Sequence, residues 1–150
     1  MDRDRPLSQH GAERAGIIGS WLQQAGVVPD RVLVSPALRA AQTWERAAAS
    51  LGADLPPTTD DRIYVNTVDA VLSAIAETDD DVATLVVVGH NPSVGEFAFA
   101  LDDGTGDPAA REDLHAGFPT GAVAVFGLTT SFAELAAGTA TLTDLEVPGD

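Results

Sequence analysis

The chain has 150 residues and 45% hydrophobic against 21% charged side chains, which is the size of one domain with a real core and too apolar for disorder. Its eight basic residues are all Arg, against 23 acidic ones, for a net charge of −15; such a field repels polyanions and excludes nonspecific binding to nucleic acid or anionic lipid. No apolar run approaches the ~20 residues of a membrane span, the Met-Asp-Arg-Asp-Arg start is unlike a signal peptide, and a cytoplasmic location is expected. There is no Cys and there are three His, which removes disulfides, thiolate nucleophiles and zinc-cysteine sites and leaves no expected metal or cofactor.

In chain order, residues 8 to 25 read as an amphipathic helix, with Ser8 as N-cap, Leu7 as a staple, and Gly11, Ala15, Ile18, Leu22 and Ala25 recurring every three or four residues before Gly26. Arg31 to Ser35 reads as a buried strand. A second helix is expected from Ser35 as cap and Pro36 in the first turn, with Leu38, Ala41, Trp44, Ala48 and Leu51 in one arc and Gly52 as its stop. Residues 56 to 61 read as a loop, Thr67 to Glu77 as a helix, and Asp79 to Asp81 as a solvated connector. Thr84 to Val88 is a continuous β-branched run closed by Gly89, the pattern of a central strand covered on both faces. A helix carrying Val94, Phe97, Ala98 and Leu101 follows Asn91-Pro92. The loop at 102 to 107, a helical turn near 109 to 115 and strands near 122 to 128 and 139 to 146 complete the chain. Trp21 and Trp44 fall on core faces of their helices.

Alternating strands and helices predict a single α/β domain over 1–150: three layers, a mostly parallel sheet, helices on both faces and ligands beyond the carboxyl ends of the strands. Because the chain opens on a helix whereas later helices follow strands, a missing first strand is expected.

Two strand-to-helix junctions carry the chemistry. In Val34-Ser35-Pro36-Ala37-Leu38-Arg39 the Arg lies in the first turn, about 170° from the centre of the apolar arc. A guanidinium fork there joins free backbone N–H groups and the positive end of the helix dipole, a recipe for phosphate binding. In Val88-Gly89-His90-Asn91-Pro92 a strand ends on a His, which can donate to a phosphoryl oxygen, attack phosphorus or move a proton.

Together with Asp4-Arg5-Pro6-Leu7-Ser8, Gln42-Thr43 and Phe118-Pro119-Thr120-Gly121-Ala122, these segments resemble the histidine phosphatase superfamily (phosphoglycerate mutase-like), and within it the SixA-type phosphohistidine phosphatases. The resemblance implies a phosphate pocket in which Arg39 binds phosphoryl oxygens, His90 hydrogen-bonds the group in transfer and Asn91 shapes the pocket. It also implies a phosphorylated protein or a small phosphomonoester as partner, and no cofactor. The family's nucleophile is a His in an Arg-His motif at the end of an N-terminal strand, and the sequence begins past that position. His10-Gly11 lacks a strand before it and is not expected to replace that motif; His115 reads as surface. The acids Asp60 and Asp61 receive no role, and Asp102 to Asp107 reads as a solvated loop without the spacing of an EF-hand.

The expectation is therefore a phosphatase-like domain, inactive as it stands for want of a nucleophile. Either the cellular protein starts further upstream and carries the strand, which is favoured, or the chain is a degenerate relative. A small-molecule (sugar) phosphatase or mutase and a noncatalytic phosphate-binding module are the alternatives. Oligomeric state is not legible.

Overall fold

The computed structural model describes residues 2–148. After a 3-10 turn at Asp2–Asp4, helix α1 (Gln9–Gln24) leads to strand β1 (Arg31–Val34) and helix α2 (Leu38–Leu51). Strand β2 (Thr58–Thr59), the short helix α3 (Asp61–Val65) and helix α4 (Val68–Ala76) come next, then strand β3 (Leu85–Val88) and helix α5 (Ser93–Leu101). Helix α6 (Pro108–Ala116) precedes strands β4 (Val123–Leu128) and β5 (Ala140–Glu146), with a 3-10 turn at Phe132–Glu134 between them.

β1 pairs in parallel with β2 on one side and with β3 on the other, giving the order β2-β1-β3. β4 and β5 form a separate antiparallel pair with a bulge at Val125/Phe126. Strand alternation sorts side chains between two helical layers. Val32 and Val34 of β1 and Val86 and Val88 of β3 face α1 and α2, where Ile18, Leu22, Trp44 and Leu51 meet them. Leu33, Leu85 and Val87 face the other way, toward Val71 and Ile75 of α4 and Leu101 of α5. The α/β architecture with a parallel sheet between helical layers is thus present.

Local chemistry explains most boundaries. Ser8 accepts from the Gly11 N–H as N-cap of α1, and Gly26 takes the left-handed conformation after it. Thr67 caps α4 and Asp107 caps α6, which begins with Pro108. Residues 109 to 115 thus belong to a full nine-residue helix rather than a turn.

Three further expectations are corrected. Ser35 does not cap α2: the helix starts at Leu38 with Ala37 at the N-cap, and the Ser35 hydroxyl accepts from the Ala37 N–H. The buried arc of α2 is accordingly turned toward Ala40, Trp44, Ala47, Ala48 and Leu51, while Leu38 is exposed. β3 is not central among the described residues: it pairs with β1 alone, and all four of its residues are only half-buried. The segment at 56 to 61 is not plain loop, because β2 docks on β1 and the Asp60 N–H donates to the Val34 carbonyl.

α1 and α2 come close at one small residue. A Cβ on Gly19 would lie 2.2 Å from the Ala47 carbonyl oxygen, whereas a Cβ on Gly16 would meet only the Ser50 hydroxyl at 3.5 Å. Gly19→Ala is expected to lower stability in urea by about 1–3 kcal/mol through this clash. Gly16→Ala, which removes a flexible residue from the same helix, should be neutral or stabilise by up to about 1 kcal/mol; equal midpoints for the two variants would refute the close-packing account.

Candidate functional site

The parallel register aligns Val34 with Val88, so the residues just beyond β1 and β3 emerge side by side at the carboxyl edge of the sheet. There His90 Nε2 lies 2.7 Å from Ser35 Oγ. Ser35 is 1% exposed, so its hydroxyl orients the ring and is itself shielded from a ligand. Tyr64, carried by α3, packs edge-to-face on the His90 ring at 5.7 Å between centroids. Burial lowers the His90 pKa below its ordinary value, the Arg39 charge lowers it further, and Asp2 opposes both.

Arg39 extends from the first turn of α2 with its side chain 21% exposed, and its guanidinium is occupied by an anion from the chain itself. Its NH1 donates to the Asp2 carbonyl at 3.0 Å and its NH2 to Asp2 Oδ2 at 3.3 Å. The Tyr64 hydroxyl donates to the same carboxylate oxygen. That hydrogen bond, with Arg39 and Arg5, holds the Asp2 carboxyl below the usual range, and it raises the Tyr64 hydroxyl in return. Arg3 stacks over the Tyr64 ring at 5.4 Å and Arg5 lies 3.8 Å from Asp2 Oδ1. Two of the eight basic residues of a chain with net charge −15 therefore meet at the Asp2 carboxylate, while Arg3 pairs with Asp61.

Asn91 serves as a brace. Its side-chain amide donates to the Phe118 carbonyl at 2.9 Å and its Oδ1 accepts from the Gly95 N–H at 3.2 Å. Asn66, in the left-handed conformation after α3, donates to the Asn91 carbonyl and accepts from the Ser93 N–H. The turn that presents His90 is thus tied to α3, to the start of α5 and to the segment entering β4.

Arg39, His90 and Asn91, expected from sequence, stand at this one edge. Ser35, Tyr64, Asn66 and Asp2 join them without having been singled out. For Ser35 the signal was available, since it ends a strand at the same junction as Arg39. Tyr64 and Asn66 had none, because the short helix that carries them has no apolar period. The exposed His10 lies in the first turn of α1.

Asp60 caps α3 and clamps Arg62 with Glu77, and Arg62 lowers the pKa of both acids. The loop at 102 to 107 is not simply solvated. Asp102, its side chain 3% exposed, accepts from Arg111 and contacts His115. Burial alone would raise its pKa, but the Gly104 N–H, His115 and Arg111 together bring it down. Asp103 accepts from Thr105 and Thr141.

A half-buried His and an Arg thus stand at the carboxyl ends of adjacent parallel strands of an α/β scaffold, braced by an Asn-Pro turn. The chain belongs to the histidine phosphatase superfamily (branch 1), whose family model matches residues 1–64. It is 35% identical over 115 residues to the phosphohistidine phosphatase SixA of Escherichia coli K12, covering 71% of this chain and 68% of that one. A protein assigned as phosphohistidine phosphatase SixA from Nakamurella multipartitia superposes with a TM-score of 0.85 at 30% identity, over 99% of this chain and 87% of that one. The protein histidine phosphatase SixA complexed with tungstate gives a TM-score of 0.72 at 28% identity, over 97% and 85%.

The lowered His90 pKa has a checkable sign. The unfolded ring takes a proton near 6.5 and the folded ring only at lower pH, so this group's contribution to stability is full above 6.5 and is lost as pH falls through the folded value. An NMR titration of the ring should give a pKa below 6.5, moving upward when inorganic phosphate is added because the anion favours the charged ring. A free-protein value at or above 6.5 would contradict the buried setting.

Proposed function

We propose that the Arg39–His90 site accepts the phosphoryl group of a phosphohistidine on a protein or of a related phosphomonoester, in place of the Asp2 carboxylate. The observation that carries this reading is the Asp2 clasp: Arg39 and Tyr64 already hold an anionic oxygen beside His90. The SixA structure complexed with tungstate, a tetrahedral oxyanion like phosphate, supports the same chemistry here.

In this reading Arg39 neutralises two phosphoryl oxygens through its fork. His90, oriented by Ser35, donates to a third oxygen once protonated, and the bound anion itself promotes that protonation. Asn91 holds the turn that fixes the ring. These groups supply charge stabilisation. Phosphoryl transfer also requires an attacking atom in line with the leaving oxygen, and neither the shielded Ser35 hydroxyl nor the Tyr64 hydroxyl, committed to Asp2, fills that role. The expected behaviour of residues 1–150 by themselves is therefore phosphate binding without turnover.

Calorimetry with inorganic phosphate and with tungstate tests the binding. Arg39→Ala should weaken it roughly tenfold or more, the value of one charge-assisted hydrogen bond, whereas Asp2→Ala should strengthen it several-fold by vacating the clasp. Equal affinities for the parent and Arg39→Ala would reject the site. Hydrolysis of p-nitrophenyl phosphate or of a phosphohistidine protein should stay at background for residues 1–150, and a rate abolished by His90→Ala would show that a nucleophile is present after all.

A further inference from the structure

Tyr64 is carried by a helix that cannot hold it unaided. α3 spans only Asp61–Val65, too short to be stable by itself, and β2 before it is two exposed threonines. At about 100° per residue, Arg62, Ile63 and Tyr64 leave α3 in three different directions. Ile63 is fully buried with Val71 and Ile75 of α4, Tyr64 packs on the His90 ring and donates to Asp2, and Arg62 reaches the end of α4.

The Arg62 guanidinium is bound along two edges. Its Nε and NH2 donate to Asp60 at 3.0 and 2.7 Å, and its NH1 and NH2 donate to Glu77, the C-cap of α4, NH2 at 3.1 Å. Asp60 also accepts from the Arg62 N–H as the cap of α3, and its own N–H donates to the Val34 carbonyl, one residue before Ser35. The start of α3 is therefore tied both to the end of β1 and to the end of α4. Its far end is held separately, by Asn66 on Asn91 and Ser93. An exposed ion pair adds little stability, and Glu77 is exposed and, among the described residues, bonded to Arg62 alone. A planar fork held at both edges instead fixes an orientation, here that of the turn carrying Tyr64 two residues on.

We propose, resting on the reading of Arg39 and His90 as a phosphoryl site, that the Asp60–Arg62–Glu77 clamp is a positioning device for that site. It holds the Tyr64 hydroxyl, which donates to the Asp2 carboxylate beside Arg39, where it donates to a phosphoryl oxygen once the anion replaces Asp2. Arg62 and Glu77 are positioning residues that act through Tyr64.

Substitution of Glu77 separates placement from charge. Removing an acid from a chain of net charge −15 would by electrostatics alone strengthen the binding of an anion, whereas loss of the clamp weakens it. In calorimetry with inorganic phosphate, Glu77→Ala should lower affinity about threefold or more. Glu77→Gln, whose amide oxygen can still accept from Arg62, should lower it less. In a Tyr64→Phe background, which keeps the ring and removes the hydroxyl, Glu77→Ala should cost nothing further. NMR cross-peaks between the Tyr64 and His90 ring protons should weaken in Glu77→Ala. Affinity unchanged or raised in Glu77→Ala, an equal loss in the Tyr64→Phe background, or cross-peaks of parental strength would each overturn the proposal. If the parent itself bound no phosphate, the phosphoryl reading would fall, and the cross-peaks alone would decide whether the clamp places Tyr64.

Discussion

The site depends on one constraint, the in-register parallel pairing of β1 with β3. Because Val34 stands beside Val88, the chain leaves both strands at the same level and turns into α2 and α5. Two residues 55 positions apart, Ser35 and His90, then come within 2.7 Å. A slip of one residue in this pairing would move Val32 and Val34 from the α1/α2 face to the α4/α5 face. It would also carry His90 away from Ser35. The core specifies the register, and the register specifies the site.

Electrostatics then sharpens what the packing positions. A chain of net charge −15 repels a phosphoryl group at long range, so attraction must be local and short of the ~10 Å screening length. In the proposed site Arg5 and Arg39 would supply it, both held against Asp2 of the 3-10 turn at Asp2–Asp4. The same turn contributes the Asp2 carboxylate that occupies Arg39. Bringing cations together in this way costs repulsion, and an anion from the chain offsets it until a better one arrives. In the proposed exchange a phosphoryl group would take the place of the Asp2 carboxylate at Arg39, and its negative charge would favour the proton that burial of the His90 ring disfavours.

Sequence periodicity exposed the elements that are long or apolar. Helix α1 with its Ser8 cap, the run at 85 to 88 and the α5 stripe are legible because one face of each is buried against a layer. Arg39 and His90 were legible for a different reason: each follows a strand and opens a helix, where an α/β fold puts ligands. β2 and α3 were not legible. Two exposed threonines carry no period, and they form a strand only because β1 offers an edge. Tyr64 and Asn66 ride on that dependence, so the ring packed against His90 and the amide that ties its turn are tertiary consequences with no local signature. The misplaced start of α2 has a similar origin, since the Ser35 hydroxyl that would cap a helix in isolation is drawn to His90 and to the Ala37 N–H instead.

The half-buried state of β3 connects the fold to the chemistry. A run of one leucine and three valines is suited to cover on both faces and pairing on both edges, and β1 with its neighbours provides that for Val32 to Val34, all buried. Among the described residues β3 has the faces but only one paired edge. That one ladder is enough to place the site, because pairing with β1 alone fixes the level at which the chain leaves both strands and so brings the His90 ring to the Ser35 hydroxyl.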